Sequence, residues 1–252
     1  MPGQSWSAMT RDELTNSLAT GTLVVVPTAA TEQHGPHLPT GHDSFTVEHI
    51  ARQAASLATV PVVLTPALCF GSSQHHLPFG GTLSLSTDTY FRVARELVES
   101  ILVSGGRRVL LLNGHGGNQQ LNELVVRDVA LDQPVDAGIT LAAASYWHVA
   151  ERALEPLAAQ RGLSIPGHAG AFETATMQAM DPSAVRPRWA ERSGNAPMIP
   201  AIPGVRLEMS GLWQSFDGYT DDPGMATAEL GDQILTIAIR EVASLYEQLA
   251  AM

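Results

Sequence analysis

Cys69 is the only thiol in the 252 residues. No disulfide can form within the chain and a thiolate zinc site is excluded; between Leu68 and Phe70, Cys69 reads as a small buried hydrophobe. Basic residues are scarce as well, 14 against 25 acidic ones, for a formal charge of −11. That balance argues against nucleic acid as a main partner, since phosphate binding needs clustered Lys and Arg. The acidity itself reads as plain solubility. No apolar run approaches the roughly 18 residues that span a bilayer, so no membrane partner is expected. The opening Met-Pro-Gly-Gln-Ser-Trp has no basic stretch leading into an apolar one, so no signal peptide is expected and the protein reads as cytoplasmic. Aromatics make up only 6% of a chain that is 44% hydrophobic, which leaves Ala, Leu and Val to build a sizeable core.

What is present is an alternation of short apolar runs and helical patterns. Residues 22–27, 60–65 and 108–112 are continuous β-branched or aliphatic runs, as expected of strands covered on both faces, and 139–145 is a weaker fourth. Helical spacing covers 45–58, 88–103 with Thr87 as N-cap, 119–131 with Asn118 as N-cap, and a last helix through Ile234, Ala238, Val242, Leu245 and Leu249 with Pro223 in its first turn. Strands alternating with helices imply an α/β fold with a parallel sheet covered on both faces. The proline-rich stretch 182–221 breaks the pattern and reads as a lid, an oligomer arm or a long ordered loop. No repeat, low-complexity tract or boundary appears, so 1–252 is expected to be one domain.

The chemistry gathers after two of the strands. Residues 28–43 hold two carboxylates, Glu32 and Asp43, and three histidines, His34, His37 and His42. In extended chain Glu32 and His34 point to the same side. Gly35, Pro36, Pro39 and Gly41 would fold the segment back so that Asp43 reaches the same place. The third strand ends in Asn113-Gly-His-Gly-Gly-Asn118, with His115 between glycines where backbone approaches a ligand closely. Both clusters follow strand C-termini, where open α/β sheets collect ligands. Oxygen and imidazole donors suit Zn²⁺, Mn²⁺ or Fe²⁺. A phosphate cradle in the glycine turn is the alternative, although the Lys-Ser/Thr of a P-loop is missing.

The strings Glu32-Gln-His-Gly-Pro-His-Leu-Pro, Asp43, Asn113-Gly-His-Gly-Gly-Asn, Gly167-His-Ala-Gly-Ala-Phe-Glu-Thr174 and Asp222-Pro-Gly-Met-Ala-Thr-Ala-Glu-Leu-Gly231 together resemble the creatininase family, in the family's order from about Gly21 to Gly231. The resemblance implies a three-layer αβα fold with a mainly parallel central sheet, a centre for two divalent metals, and hydrolysis of amide-like C–N bonds. Relatives open creatinine, deformylate a pyrimidine intermediate of flavin-type cofactor synthesis, or trim a mycofactocin precursor peptide. It further implies Glu32 and His115 on one metal, His34 on the other and Asp43 as the bridge. Creatininase has a metal-binding Glu where this chain has Gly117, and Glu173 is the expected substitute. His168 is the candidate acid/base, with a purely structural role as the alternative. Trp147 falls near a tryptophan that closes over substrate in creatininase, or else it packs. No second tryptophan matches that lid, so creatinine itself is not the expected substrate. Family members commonly form hexamers, so a homo-oligomer is expected. A binding protein that kept the site and lost turnover is the non-enzymatic alternative, and a nucleotide-binding α/β protein is the third.

Overall fold

The computed structural model of the chain describes residues 3–187 and 207–252. Five strands, β1 (Gln4–Ser5), β2 (Leu23–Thr28), β3 (Val62–Leu64), β4 (Arg108–Asn113) and β5 (Thr140–Ser145), form one sheet in the order β1-β3-β2-β4-β5, with every pairing parallel. Seven α-helices flank it among the described residues: α1 (Arg11–Ala19), α2 (His42–Leu57), α3 (Thr87–Val103), α4 (Gln119–Leu131), α5 (Tyr146–Arg161), α6 (Ala171–Met180) and α7 (Ala228–Ala250).

Alternation along the strands explains the layering. Leu23, Val25, Leu110 and Leu112 join a core made with α2, α5, α6 and α7. Their neighbours Val24, Val26, Val109 and Leu111 point the other way, into a second core with α1, α3 and α4. A strand buried on both faces needs an apolar residue at every position, which is why these runs do not alternate with polar ones. The three-layer αβα expectation holds.

The topology places the site. β2 leads through α2 to β3 on one side, whereas β4 leads through α4 to β5 on the other. β2 and β4 are themselves neighbours, with Thr28 opposite Asn113 at their C-terminal ends. Connections that leave two adjacent strands in opposite directions open a crevice between them, the usual ligand position in open α/β sheets.

Several local expectations are corrected. Ser86, not Thr87, caps α3, because its hydroxyl accepts from Thr89 N. Asn118 lies at the α4 boundary, but its side chain donates to Ala29 O and accepts from Ser72 N, so it ties three loops instead of capping a helix. Pro223 belongs to a separate turn, Pro223–Met225, and Thr227 caps α7 by accepting from Leu230 N at 3.1 Å. Helices α1, α5 and α6 carry no expectation from the sequence. Of the proline-rich stretch, 188–206 lies outside the described residues. Among the described residues no helix is long and apolar enough to cross a membrane.

Candidate metal centre

The segment after β2 does fold back. Glu32 N donates to Thr40 O at 2.9 Å, and Gly35 turns the chain with φ +65, a conformation that favours glycine. His42 and Asp43 then open α2, placing the Asp43 carboxylate in the first helical turn, where the helix dipole favours negative charge. From β4, His115 arrives braced by Asn113, whose Oδ1 accepts from His115 N and whose Nδ2 donates to His115 O.

These side chains converge. His115 Nδ1 lies 3.1 Å from Glu32 Oε1 and 3.2 Å from Asp43 Oδ2. His34 Nε2 lies 3.0 Å from Asp43 Oδ1, so the two oxygens of one carboxylate face two different imidazoles. The tautomers follow from the outer nitrogens. His115 Nε2 is 3.1 Å from Ser72 O and His34 Nδ1 is 3.1 Å from Glu32 O, and a carbonyl can only accept. In the neutral rings, His115 Nδ1 and His34 Nε2 therefore turn lone pairs inward at carboxylate oxygens. His34 Nε2 and Asp43 Oδ2 are buried without a hydrogen-bond partner. Lone pairs facing one another, each imidazole held by a backbone carbonyl behind it, are the arrangement a divalent cation requires. The donor set fits.

Gly117 has no room for the side chain that creatininase carries there. A Cβ would run into Ser72 O and lie 2.5 Å from His115 Nε2, the two atoms of the bond that fixes the His115 tautomer. Gly114 is equally constrained, its Cβ position lying 2.8 Å from Val47 Cβ and 3.0 Å from Asp43 O. Gly117→Ala is expected to cost about 1–3 kcal/mol, as overpacking of a tight site does. It should also weaken metal retention by pushing His115 off Ser72. Thermal unfolding with and without added metal checks both, and a variant as stable and as metal-rich as the parent would contradict this packing.

The third side of the pocket comes from the turn before α6. Thr220 N donates to His168 O at 2.9 Å, His168 N donates to Thr220 Oγ1 at 2.7 Å, and Ala171 N donates to Asp221 Oδ2 at 3.1 Å. Ala169 sits in the left-handed region with φ +51, strain of a kind that concentrates at functional sites, and its N–H points at Glu173 Oε2, 2.5 Å away. Glu173 is thereby aimed inward, with Oε2 3.7 Å from His34 Nε2 and Oε1 4.0 Å from His42 Nε2. His34, His42, Asp43 and Glu173 can together surround one ion, and Glu32, His75 and His115 form a second candidate group, with Asp43 Oδ2 also 3.2 Å from His115 Nδ1.

The structure thus brings Glu32, His34, Asp43, His115 and Glu173 into one cluster and sets His168 against it, Nδ1 3.6 Å from Glu32 Oε1. Trp147 is 4% exposed, packs edge-on against Tyr146 within the first core, and shows part of its surface to a cavity of about 360 Å³ over the cluster. Sequence reasoning missed His42, His75, His76, Gln33 and Trp213. His42 adjoins Asp43, and His75-His76 is an adjacent pair that could have raised attention. The expectation of no second tryptophan is corrected. Trp213, from the turn Trp213–Phe216, lines the same cavity with its ring 4.7 Å from that of His76.

The electrostatics describe a pocket balanced by protons when no cation is bound. Burial drives the Glu32 carboxyl up, but His115, His76 and His168 outweigh it and leave it well below the usual carboxylate range. Burial opposes charge on His34, yet Asp43 and Glu173 overcome it and raise the imidazole to about 10. Burial raises Glu173 to about 8, with His34 pulling the other way. Burial, then His34 and His76, push His168 well below the ordinary imidazole value, so at neutral pH it is a base with no proton to give. Burial likewise opposes charge on His115, yet Glu32 and Asp43 hold its imidazole well above the ordinary value. Cation binding must therefore displace the His34, His115 and Glu173 protons, and affinity should rise with pH in the range below about 8. An increase of about tenfold to a thousandfold is expected from about pH 6.5 to about pH 7.5, up to one factor of ten for each proton released. Chelator competition with Mn²⁺ at the two pH values measures it, and a flat profile would count against these protonation states.

An open parallel α/β sheet with a buried carboxylate–imidazole cluster at its switch point defines the class of this protein. Within that class, residues 7–246 match the family described as creatinine amidohydrolase, and the chain belongs to the creatininase family of hydrolases. It is 30% identical over 237 residues to the mycofactocin precursor peptide peptidase of Mycobacterium tuberculosis, covering 88% of this chain and 83% of that one. It is 29% identical over 238 residues to the creatinine amidohydrolase of Pseudomonas putida, covering 88% and 87%. A solved manganese form of creatininase superposes with a TM-score of 0.79 at 23% identity, covering 97% of both chains.

Proposed function

We propose that this chain is a metal-dependent amidohydrolase that cuts an amide, cyclic-amide or formamide C–N bond of a small molecule, with the whole chain acting as one domain. The observation that carries this reading is the buried cluster of inward lone pairs around Asp43, whose two oxygens face His34 and His115. Glu32 and His115 would hold one cation and His34 and Glu173 the other, with His42 beside them and Asp43 serving both. Bound divalent cations polarise a carbonyl and lower the pKa of water from about 15.7 to roughly 7, which supplies a nucleophile at neutral pH. The residues do the rest. His168, unprotonated at Nδ1, takes the proton released by the attacking water and passes it to the leaving nitrogen. Trp147 and Trp213 close the cavity and exclude bulk water. A space of about 360 Å³ lies in the range of small-molecule sites.

Peptide trimming is the second reading, favoured by the mycofactocin precursor peptide peptidase relative. The family resemblance also supports a homo-oligomer, a hexamer by preference. Protein purified without chelator should contain about one to two equivalents of Zn²⁺, Mn²⁺ or Fe²⁺. It should hydrolyse at least one class among lactams, formamides and cyclic ureides faster than short peptides. Faster cleavage of the peptides would decide for the second reading. Less than about 0.2 equivalents of metal, with no uptake on adding Zn²⁺ or Mn²⁺, would sink both.

A further inference from the structure

His76 is fully buried in the turn Gln74–Phe79, its ring stacked on that of His168 with centroids 4.1 Å apart and planes 19° from parallel. Its position in the cavity wall, with Nε2 3.8 Å from Glu32 Oε1, makes it look like one more donor for a cation. The hydrogen bonds behind it say otherwise. The Gln33 amide is fixed at both ends, since Oε1 accepts from Gly35 N at 2.9 Å and Nε2 donates to Gly218 O at 2.7 Å. Its remaining N–H faces His76 Nδ1 at 2.8 Å, the nearer of two imidazole nitrogens, with His168 Nε2 at 3.2 Å. A nitrogen that accepts this bond carries no proton, so in the neutral ring the proton sits on Nε2, the atom turned into the cavity. That N–H is buried and has no hydrogen-bond partner.

The stacked partner has the opposite arrangement. His168 Nε2 is 2.9 Å from Gln33 O, an acceptor, so its proton points away from the cavity and bare Nδ1 points in. One residue, Gln33, therefore fixes both rings, His76 through its side-chain amide and His168 through its backbone carbonyl. Side by side, an N–H and a lone pair converge on the region of Glu32 Oε1. A water or hydroxyl oxygen seated between them can accept from His76 and donate to His168, whereas a carbonyl oxygen there can only accept from His76.

Resting on the amidohydrolase reading, we propose that His76 is not a metal ligand but an uncharged hydrogen-bond donor to an oxygen of the bound substrate, with Gln33 as the positioning residue that holds its tautomer. An unpartnered buried N–H is costly, on the order of 1–3 kcal/mol, and a substrate oxygen relieves that cost on arrival. The arrangement selects for ligands that place an acceptor beside Glu32, such as the carbonyl of an amide or a hydroxamate.

The test reads the tautomer and the donor separately. Magic-angle-spinning NMR of protein labelled with ring-¹⁵N histidine, with and without zinc, should show His76 protonated at Nε2 and bare at Nδ1. Loss of these signals in His76→Gln and His76→Phe assigns them. Zinc content should be the same in both variants as in the parent. Acetohydroxamate should bind zinc-loaded His76→Phe about tenfold more weakly, while His76→Gln, which keeps an N–H, should stay within about threefold of the parent. A bare Nε2 in the parent, or zinc lost with either variant, would make His76 a ligand and overturn the proposal. Equal acetohydroxamate affinity in all three proteins would also overturn it. Should the protein take up no zinc, the hydrolase reading fails on its own, and the metal-free spectrum still decides the tautomer.

Discussion

Asp43→Ala protein is expected to leave purification with less than about 0.2 equivalents of divalent metal and turnover reduced about a thousandfold or more, since in the proposed mechanism the metal would supply both nucleophile and Lewis acid. The reason is geometric. Asp43 Oδ1 lies 3.0 Å from His34 Nε2 and Oδ2 lies 3.2 Å from His115 Nδ1, so one side chain stands between both halves of the cluster. Removing it leaves Glu32 and His115 on one side and His34 with Glu173 on the other, with nothing joining them. The helix should survive, because alanine is the best helix former and position 43 lies within the first turn of α2. Circular dichroism unchanged from the parent, together with empty sites, is the expected pair of measurements. His34→Ala is the comparison, since it should empty mainly one site. Full metal content in Asp43→Ala would show that the bridge is misassigned.

Glu173→Gln is expected to lower affinity for the second metal at least about tenfold and to reduce kcat more than KM. The substitution keeps the shape, and the amide oxygen of glutamine can still accept from Ala169 N, which donates to Glu173 Oε2 at 2.5 Å. What it removes is the negative oxygen facing His34. No carboxylate can replace it from the other side, because Gly117 is pressed against Ser72 O and His115 Nε2. His42, with Nε2 4.0 Å from Glu173 Oε1, is the remaining neighbour that can compensate, which is why a partial loss of affinity is expected. A rival role for Glu173 as acid/base beside an intact pair of metals predicts full metal content with lost activity. Elemental analysis and kinetics on this one variant separate the two, and two tightly held metals would count against direct ligation.

The central sheet was legible because its chemistry is uniform along the chain. β2 and β4 are apolar at nearly every position, as strands covered on both faces must be, and their C-terminal ends carry the clustered donors. Glu32, His34, Asp43 and His115 stood out because each lies in a short segment with little competing charge. Helices α5 and α6 did not stand out. α6 has buried residues on nearly all of its surface, so it lacks the polar face that produces a periodic signal. Residues such as Gln33 and Trp213 were invisible for a different reason. Gln33 is an ordinary loop glutamine until Gly218 O and His76 Nδ1 are brought to it, and only the finished fold does so. The caps show the limit of local reading, since Ser86 and Thr87 are both competent and backbone geometry chooses between them.

The order in which β3 and β4 follow β2 has a consequence for how the protein comes into being. Leaving β2, the chain first builds β3 on one side and must then cross back over β2 to lay down β4 on the other. When Glu32, His34 and Asp43 have emerged during synthesis, His115 has not yet been made, and Glu173 comes later still. The early segment alone offers an ion only part of a cage, whereas the complete cage exists once β4 has paired and α6 has docked. Non-local pairing of this kind is intrinsically slow, because loop-closure entropy is spent before the distant contacts form. An ion captured at the end of that sequence would bolt together segments made early and late in synthesis. On the proposed function, tight retention of metal would therefore mark a finished chain, one that partly folded forms could not carry.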